Sequence, residues 1–369
     1  MIVAGEASGD LHGAGVVREL KRRQPSCDIY GIGGDRMQAE GMELIYHVRE
    51  LALMGFWEVI QHLPLLRSVE RTLSAILKAR KPDVLLLIDY PGFNLRFARE
   101  AVKYSIKILY YISPQVWAWR SGRVRKMKGL IDKMLVVFPF EVEIYKDAGI
   151  DVEFVGHPLL DVLKEPQGRT EFFKRYGFEQ NRPLVGLFPG SRNQEIERIF
   201  PLMIGAAKIL YKQFNIQVAV GVSSLLGIDY IRSFLRDDFP VQLIQNATYD
   251  VMKNTDVAMV TSGTATLETG YYQTPMVIIY KTSLLTYLVG RLLVNIKNIG
   301  LVNILAGRQI VPELIQSRAH PVRLAKEVEK MLCDDALRQN ISNDLAIIKD
   351  RLGTFGASVR VADTVLSMV

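Results

Sequence analysis

The chain has 369 residues, 49% hydrophobic and 23% charged, proportions that exclude a disordered or fibrous protein and predict two folded domains. Its 46 Lys and Arg against 39 Asp and Glu leave a net charge of +7, a surplus suited to an anionic substrate or an anionic membrane surface. No run of basic and aromatic residues together makes a case for nucleic acid.

Strand-like apolar runs alternate with amphipathic helical stretches throughout, the pattern of an α/β fold with parallel sheets. Ile2-Val3-Ala4 reads as the first strand, and Gly5-Glu6-Ala7-Ser8-Gly9-Asp10-Leu11-His12-Gly13, with three glycines spaced by four, as a turn leading to a helix over 14–23. Its glycine spacing departs from G-x-G-x-x-G and argues against a dinucleotide site. Ser8 and Asp10 fall at the expected carboxyl edge of the sheet, where α/β proteins bind ligands, although spacing alone makes them helix caps just as readily. Residues 51–66 include Phe56, Trp57, Ile60, Leu63, Leu65 and Leu66 with few charges. Such a stretch is either a core helix or an exposed patch for a membrane or acyl chains.

Val84–Ile88 is the clearest buried strand of the first half, and it ends in Asp89. A carboxylate there stands where a general base is wanted, and burial would raise its pKa; capping of the next turn is the open alternative. The strand over 108–112 leads into Ser113-Pro114-Gln115-Val116-Trp117-Ala118-Trp119-Arg120, a rigid loop whose tryptophans are pocket walls or packing anchors. The basic segment 120–128 is a lipid contact or simply a solvated face. Further strands lie over 134–138 and 153–155. Gly156-His157-Pro158 then closes the expected first domain, with His157 structural for want of a partner at metal spacing.

In the second half, Leu184–Phe188 reads as a buried strand broken by Pro189-Gly190, with Ser191 placed as an N-cap and a helix beginning beyond. A strand, a glycine turn and a helix N-terminus make an anion site, to which Arg192 adds a planar fork for phosphate. Strands over 216–220 and 241–244 follow. Asp256–Val260 then runs into Thr261-Ser262-Gly263-Thr264-Ala265-Thr266-Leu267-Glu268, a second turn of the same kind. Ser262, Gly263 and Thr264 suit a second phosphate, and Glu268 suits ribose hydroxyls. Two such turns favour a nucleotide diphosphate over two ordinary capped helices. The next strand covers 275–280.

Cys27 and Cys333 form no metal or redox spacing and read as reduced, buried thiols in a cytoplasmic protein. No His/Cys cluster, P-loop, nucleophile elbow or Asp-x-Asp pair occurs, so no metal or other cofactor is expected. The N-terminus lacks a signal peptide's regions, and the apolar segment 284–305 is interrupted by Arg291, Lys297 and Asn298. A soluble or peripheral protein is expected.

Taken together, these motifs resemble the lipid-A-disaccharide synthase family, glycosyltransferases of the GT-B type. The likeness runs through Gly5–Asp10, Leu51–Gly55, Ile88-Asp89, Ser113–Arg120, Phe138–Glu141, Val155–His157, Pro189–Arg192, Ser262–Glu268 and Asn303–Arg308. Tyr90-Pro91-Gly92 after the aspartate departs from the family and bears on the acceptor side.

The resemblance implies two Rossmann-like domains facing a cleft. These are an acceptor and membrane-facing domain over 1–158, a UDP-sugar domain over 159–343 and a helical segment over 344–369 crossing back. It implies transfer of 2,3-diacylglucosamine from UDP to the 6-hydroxyl of 2,3-diacylglucosamine 1-phosphate, with inversion. Asp89 falls on the essential aspartate and Arg192 on the UDP-contacting arginine. Gly190, Ser191, Ser262, Gly263, Thr264, Glu268 and Asn303 join the donor side, with Glu313 near them. Ser8, Asp10, Trp117 and Arg120 join the acceptor side. A diacyl substrate turns the 56–66 patch toward acyl or membrane contact at the inner face of the inner membrane, and a homo-oligomer is compatible with the family. A UDP-N-acetylglucosamine 2-epimerase of the same fold and a non-catalytic lipid-binding protein are the competing readings.

Overall fold

Two wholly parallel sheets organise the protein, one in each half of the chain. The computed structural model describes residues 1–51, 63–117, 121–224, 226–235, 239–284, 287 and 297–369. Met1–Val162 with Leu352–Val369 form one compact unit, and Leu163–Arg351 form the other.

In the first unit β1 (Ile2–Ala4), β2 (Tyr30–Gly33), β3 (Glu43–His47), β4 (Val84–Ile88), β5 (Lys107–Tyr111), β6 (Lys133–Val136) and β7 (Val152–Phe154) are ordered β3-β2-β1-β4-β5-β6-β7. The unbroken Val-Leu-Leu-Leu-Ile run of β4 is buried along its whole length, as a parallel strand covered on both faces requires. Pairing is level: Ala4 lies opposite Ile88, and Ile88 opposite Tyr111. The loops after β1, β4 and β5 therefore leave one sheet edge together. Strand order reverses between β1 and β4, the place where doubly wound sheets open a crevice.

The second unit repeats the plan with β8 (Leu184–Phe188), β9 (Gln217–Val222), β10 (Gln242–Gln245), β11 (Val257–Thr261), β12 (Met276–Tyr280) and β13 (Glu313–Ile315), ordered β10-β9-β8-β11-β12-β13. Phe188 pairs with Val260, so the turns after β8 and β11 also emerge side by side at a reversal of order.

The first unit extends past the His157 turn to Val162 because Asp161 ties the returning tail to it. The Asp161 carboxylate accepts the backbone N–H groups of Gly356, Ala357 and Ser358, at 2.7, 3.2 and 2.8 Å, and so holds the start of the helix Ala357–Ser367. Residues 344–351, expected with the crossing segment, stay in the second unit. Leu345 and Ile348 are fully buried there, packed where Gly270 leaves room for them. The tail that returns is Leu352–Val369.

The first helix covers Ala7–Arg23 rather than starting near residue 14. Gly9 and Gly13 thus sit within a helix, not in a turn. A Cβ on Gly13 would stand 2.7 Å from the Met37 sulfur, so this glycine lets two elements approach closely. Cys27 is half-buried and Cys333 exposed, which corrects the reading of both as buried thiols.

Candidate active site

At the first switch point Asp89 and Tyr90 follow β4 with φ of 48° and 47°. Left-handed backbone at non-glycine residues costs about 1–3 kcal/mol each and persists only where surroundings enforce it. Here Asp89 N–H donates to Tyr111 O at 2.9 Å, while its carbonyl accepts from Asn94 Nδ2 at 2.7 Å and the Tyr110 hydroxyl at 2.6 Å. The Tyr90 ring covers Gly5 so closely that a Cβ there would overlap ring Cδ1, so the loop after β1 rests against Tyr90. Burial pushes the Asp89 carboxyl up to about 6, the negative charge of Glu6 adds to the rise, and a hydrogen bond from the Tyr90 backbone N–H opposes it. A half-buried carboxylate held this way is mostly ionised at neutral pH yet basic enough to take a proton.

Beside it, Ile112 follows β5 at φ 61°, a conformation that β-branched residues rarely adopt. Ser113 and Trp117 beyond it both donate to Oε1 of Glu141, at 2.6 and 3.3 Å, and Phe138 N–H donates to Oε2 at 3.1 Å. Trp117 also packs edge-on against Phe140, with ring centroids 5.6 Å apart.

One acceptor-side expectation changes, that for Asp10. Ser8 is exposed on the first helical turn. Asp10 is buried with its carboxylate taken by the backbone N–H groups of Gly34, Arg36 and Met37, at 2.7, 3.3 and 3.0 Å. It caps the helix Asp35–Ala39 and is not free for a ligand. Arg120, Phe56, Trp57 and Ile60 lie outside the described residues, as does the side chain of Leu63. Leu65 is exposed, but Leu66 belongs to the hydrophobic core of the first unit and leaves the expected acyl patch. His157 is buried, accepts from Leu159 N–H and is driven down to about 3 by burial and then by the neighbouring His12, so it stays neutral and structural.

At the second switch point Gly190 turns at φ 105°, and Arg192, not Ser191, is the N-cap of the helix Asn193–Phe214. Neither N-cap residue, Arg192 here or Gly263 at the helix Thr264–Tyr271 that follows β11, makes a side-chain cap hydrogen bond. Two uncapped N-termini side by side concentrate free N–H groups and positive dipole ends, the requirement for holding a diphosphate. Gly263 and Thr264 are exposed, and a Cβ on Gly263 would meet only open space. The largely exposed Arg192 is only loosely paired with Glu195, at 3.4 Å. Ser262 donates its hydroxyl to Ile299 O. One turn in, burial pushes the Glu268 carboxyl up to about 7, against a hydrogen bond with Tyr249.

Asn303 is no donor contact. Fully buried, it donates to Val311 O and Glu313 Oε1 and accepts from Ile310 and Val311 N–H, so its hydrogen-bonding capacity is spent on the loop before β13. Glu313 is likewise occupied by the N–H groups of Ile299 and Gly300. Among the described residues no group of three or more His, Cys, Asp or Glu is placed to hold a metal.

Residues 1–355 match the family model described as lipid-A-disaccharide synthetase. Curated relatives named lipid-A-disaccharide synthase include those of Geobacter sulfurreducens, 46% identical over all of this chain and 97% of the relative, and Syntrophus aciditrophicus, 44% identical with the same coverage. Similar solved structures include UDP-GlcNAc 2-epimerase from Neisseria meningitidis bound to UDP-GlcNAc, with TM-score 0.65, 13% identity and 99% of each chain covered. Acinetobacter baumannii MurG aligns at TM-score 0.58 and 12% identity, covering all of this chain and 98% of its own. At such identities the structural likeness shows the fold alone, and the epimerase is a fold neighbour. Sequence likeness over the full length carries the assignment: the chain belongs to the lipid-A-disaccharide synthase family, glycosyltransferases of the GT-B type.

Proposed function

We propose that the protein transfers 2,3-diacylglucosamine from UDP to the 6-hydroxyl of 2,3-diacylglucosamine 1-phosphate, releasing UDP and a β(1→6)-linked disaccharide phosphate. The full-length match to the family supports this most directly. An α-linked donor giving a β-linked product calls for one in-line displacement. Asp89 takes the acceptor hydroxyl's proton as that oxygen bonds to C1 and the bond from C1 to the diphosphate breaks. The electron pair leaves on UDP, whose charge Arg192 and the helix N-termini at 193 and 264 stabilise without a metal. Glu268 serves the ribose hydroxyls.

The protein works at the cytoplasmic face of the inner membrane as a peripheral enzyme. Exposed Leu65, Arg67 and Arg71 on the helix Leu63–Arg80 suit an anionic lipid surface, and no described helix is long and apolar enough to cross a membrane. A UDP-release assay with diacylated donor and acceptor, run beside the non-acylated sugars, tests the reading. Release with the acylated pair is expected; equal or exclusive turnover of water-soluble sugar nucleotide would overturn it.

A further inference from the structure

Glu141 is a carboxylate that the transfer chemistry leaves without a task. It is 1% exposed, begins the helix Glu141–Asp147 that follows β6, and gathers donors from two separate loops. Ser113 and Trp117, from the loop after β5, share Oε1; Phe138 N–H, from the loop after β6, takes Oε2. Helix capping alone would need only the last of these. Burying a carboxylate is costly unless its oxygens are satisfied, so joining two loops through one side chain indicates that their mutual position matters.

The surroundings stiffen the same assembly. The Tyr145 hydroxyl donates to Pro114 O at 3.3 Å. Phe138 stacks on Phe140, with centroids 5.6 Å apart, and Phe140 supports the Trp117 indole. Ile112 holds its left-handed backbone directly before this loop. Since Ile88 pairs with Tyr111, Asp89 and Ile112 occupy matching positions at the ends of neighbouring strands. Trp117, only half-buried, is thus held at the same carboxyl edge of the sheet as Asp89, on the β6 side of β5 where Glu141 and Phe140 grip it.

We propose that Glu141 is a positioning residue for the acceptor: it locks the Ser113–Trp117 loop so that the Trp117 indole forms a fixed wall for the acylated glucosamine phosphate. The proposal rests on the transferase reading above. Glu141→Gln preserves size but turns an N–H₂ toward one of the donors, so the lock is lost at one oxygen. The KM for 2,3-diacylglucosamine 1-phosphate should rise about tenfold, while kcat and the donor KM stay within about twofold.

The test pairs these kinetics with ¹⁹F NMR of 5-fluorotryptophan protein, with the Trp117 resonance assigned by its loss in Trp117→Phe. That resonance should move in Glu141→Gln and respond to acceptor in the parent protein. The acceptor KM penalties of Glu141→Gln and Trp117→Phe should combine to less than their product, because one acts through the other. Should Glu141→Gln unfold, Ser113→Ala carries the same test, with a smaller rise in acceptor KM. Parent enzyme that turns over normally while the variants keep the parent acceptor KM, or lose kcat and both KM values in proportion, overturns the positioning role alone. Parent enzyme that releases no UDP from the acylated pair overturns the transferase reading, and this role with it.

Discussion

The charge of Glu6, just after β1, acts on the Asp89 carboxyl at the end of β4, second only to burial in lifting it to about 6. Both effects disfavour the ionised form, and a general base must be ionised to work. The activity kcat/KM should therefore fall as pH drops through about 6. Glu6→Gln removes the repulsion but leaves the burial, so the acid limb should move to lower pH. A profile of UDP release against pH in both proteins checks this, and an unmoved limb would separate Glu6 from the base.

Asp89→Asn should fold and bind UDP normally, since asparagine tolerates left-handed backbone, the Asp89 N–H and carbonyl keep their partners, and the amide oxygen can still accept from Tyr90 N–H. Turnover should fall by about 10²–10⁴-fold, the usual contribution of a positioned base. Unchanged turnover in a variant with native UDP affinity would remove Asp89 from the role.

The sheet centres were legible because β4, β8 and β11 are unbroken apolar runs ending in an aspartate or a glycine turn. The edges were not. β2 reads Tyr-Gly-Ile-Gly, β3 is only partly buried and β13 has three residues, none of which shows a period or a run. Positions in the site were read more securely than orientations. Asp10 and Asn303 stand in motifs shared with the family, yet Asp10 spends its carboxylate on backbone and Asn303 its amide on backbone and the Glu313 carboxylate, facts that depend on partners such as those 24 and 8 residues away. Glu6, Asn94, Tyr110 and Glu141 went unread as partners for the same reason: only the fold brings them to their targets.

Asn303→Ala is expected to show up in stability rather than in donor recognition. It would take the acceptor from the N–H groups of Ile310 and Val311 and the Asn303 donor from Val311 O, in a buried setting, while Glu313 Oε1 keeps the Gly300 N–H. The cost should be about 2–4 kcal/mol, read from denaturant unfolding. Weakened UDP binding in a variant of unchanged stability would return Asn303 to the donor site.

Arg192→Ala should weaken UDP binding by about 10- to 100-fold, the worth of a charge-assisted bidentate contact. Arg192→Lys should recover only part of this, because an ammonium cannot reproduce the fork. Stability should barely change, since the side chain is exposed and its pairing with Glu195 is loose. Calorimetric titration with UDP on the three proteins decides; equal affinities would move the diphosphate away from this turn.

Glu268 offers a pH test of the ribose contact. Its carboxyl is pushed up to about 7, chiefly by burial, so near neutrality it changes form over a narrow range. Ribose hydroxyls donate best to the ionised carboxylate, so affinity should fall as pH drops below 7, approaching about tenfold per unit at the limit. UDP itself is a poor probe because its terminal phosphate titrates at about 6, by analogy with other phosphomonoesters. The diester of UDP-N-acetylglucosamine does not, and calorimetry with that ligand from pH 5.5 to 8, as about the useful window, isolates the protein's proton. Glu268→Gln should bind more weakly at pH 8 and show a flat profile. A parent profile already flat across this window would mean that Glu268 keeps its charge state on binding and does not accept from the ribose.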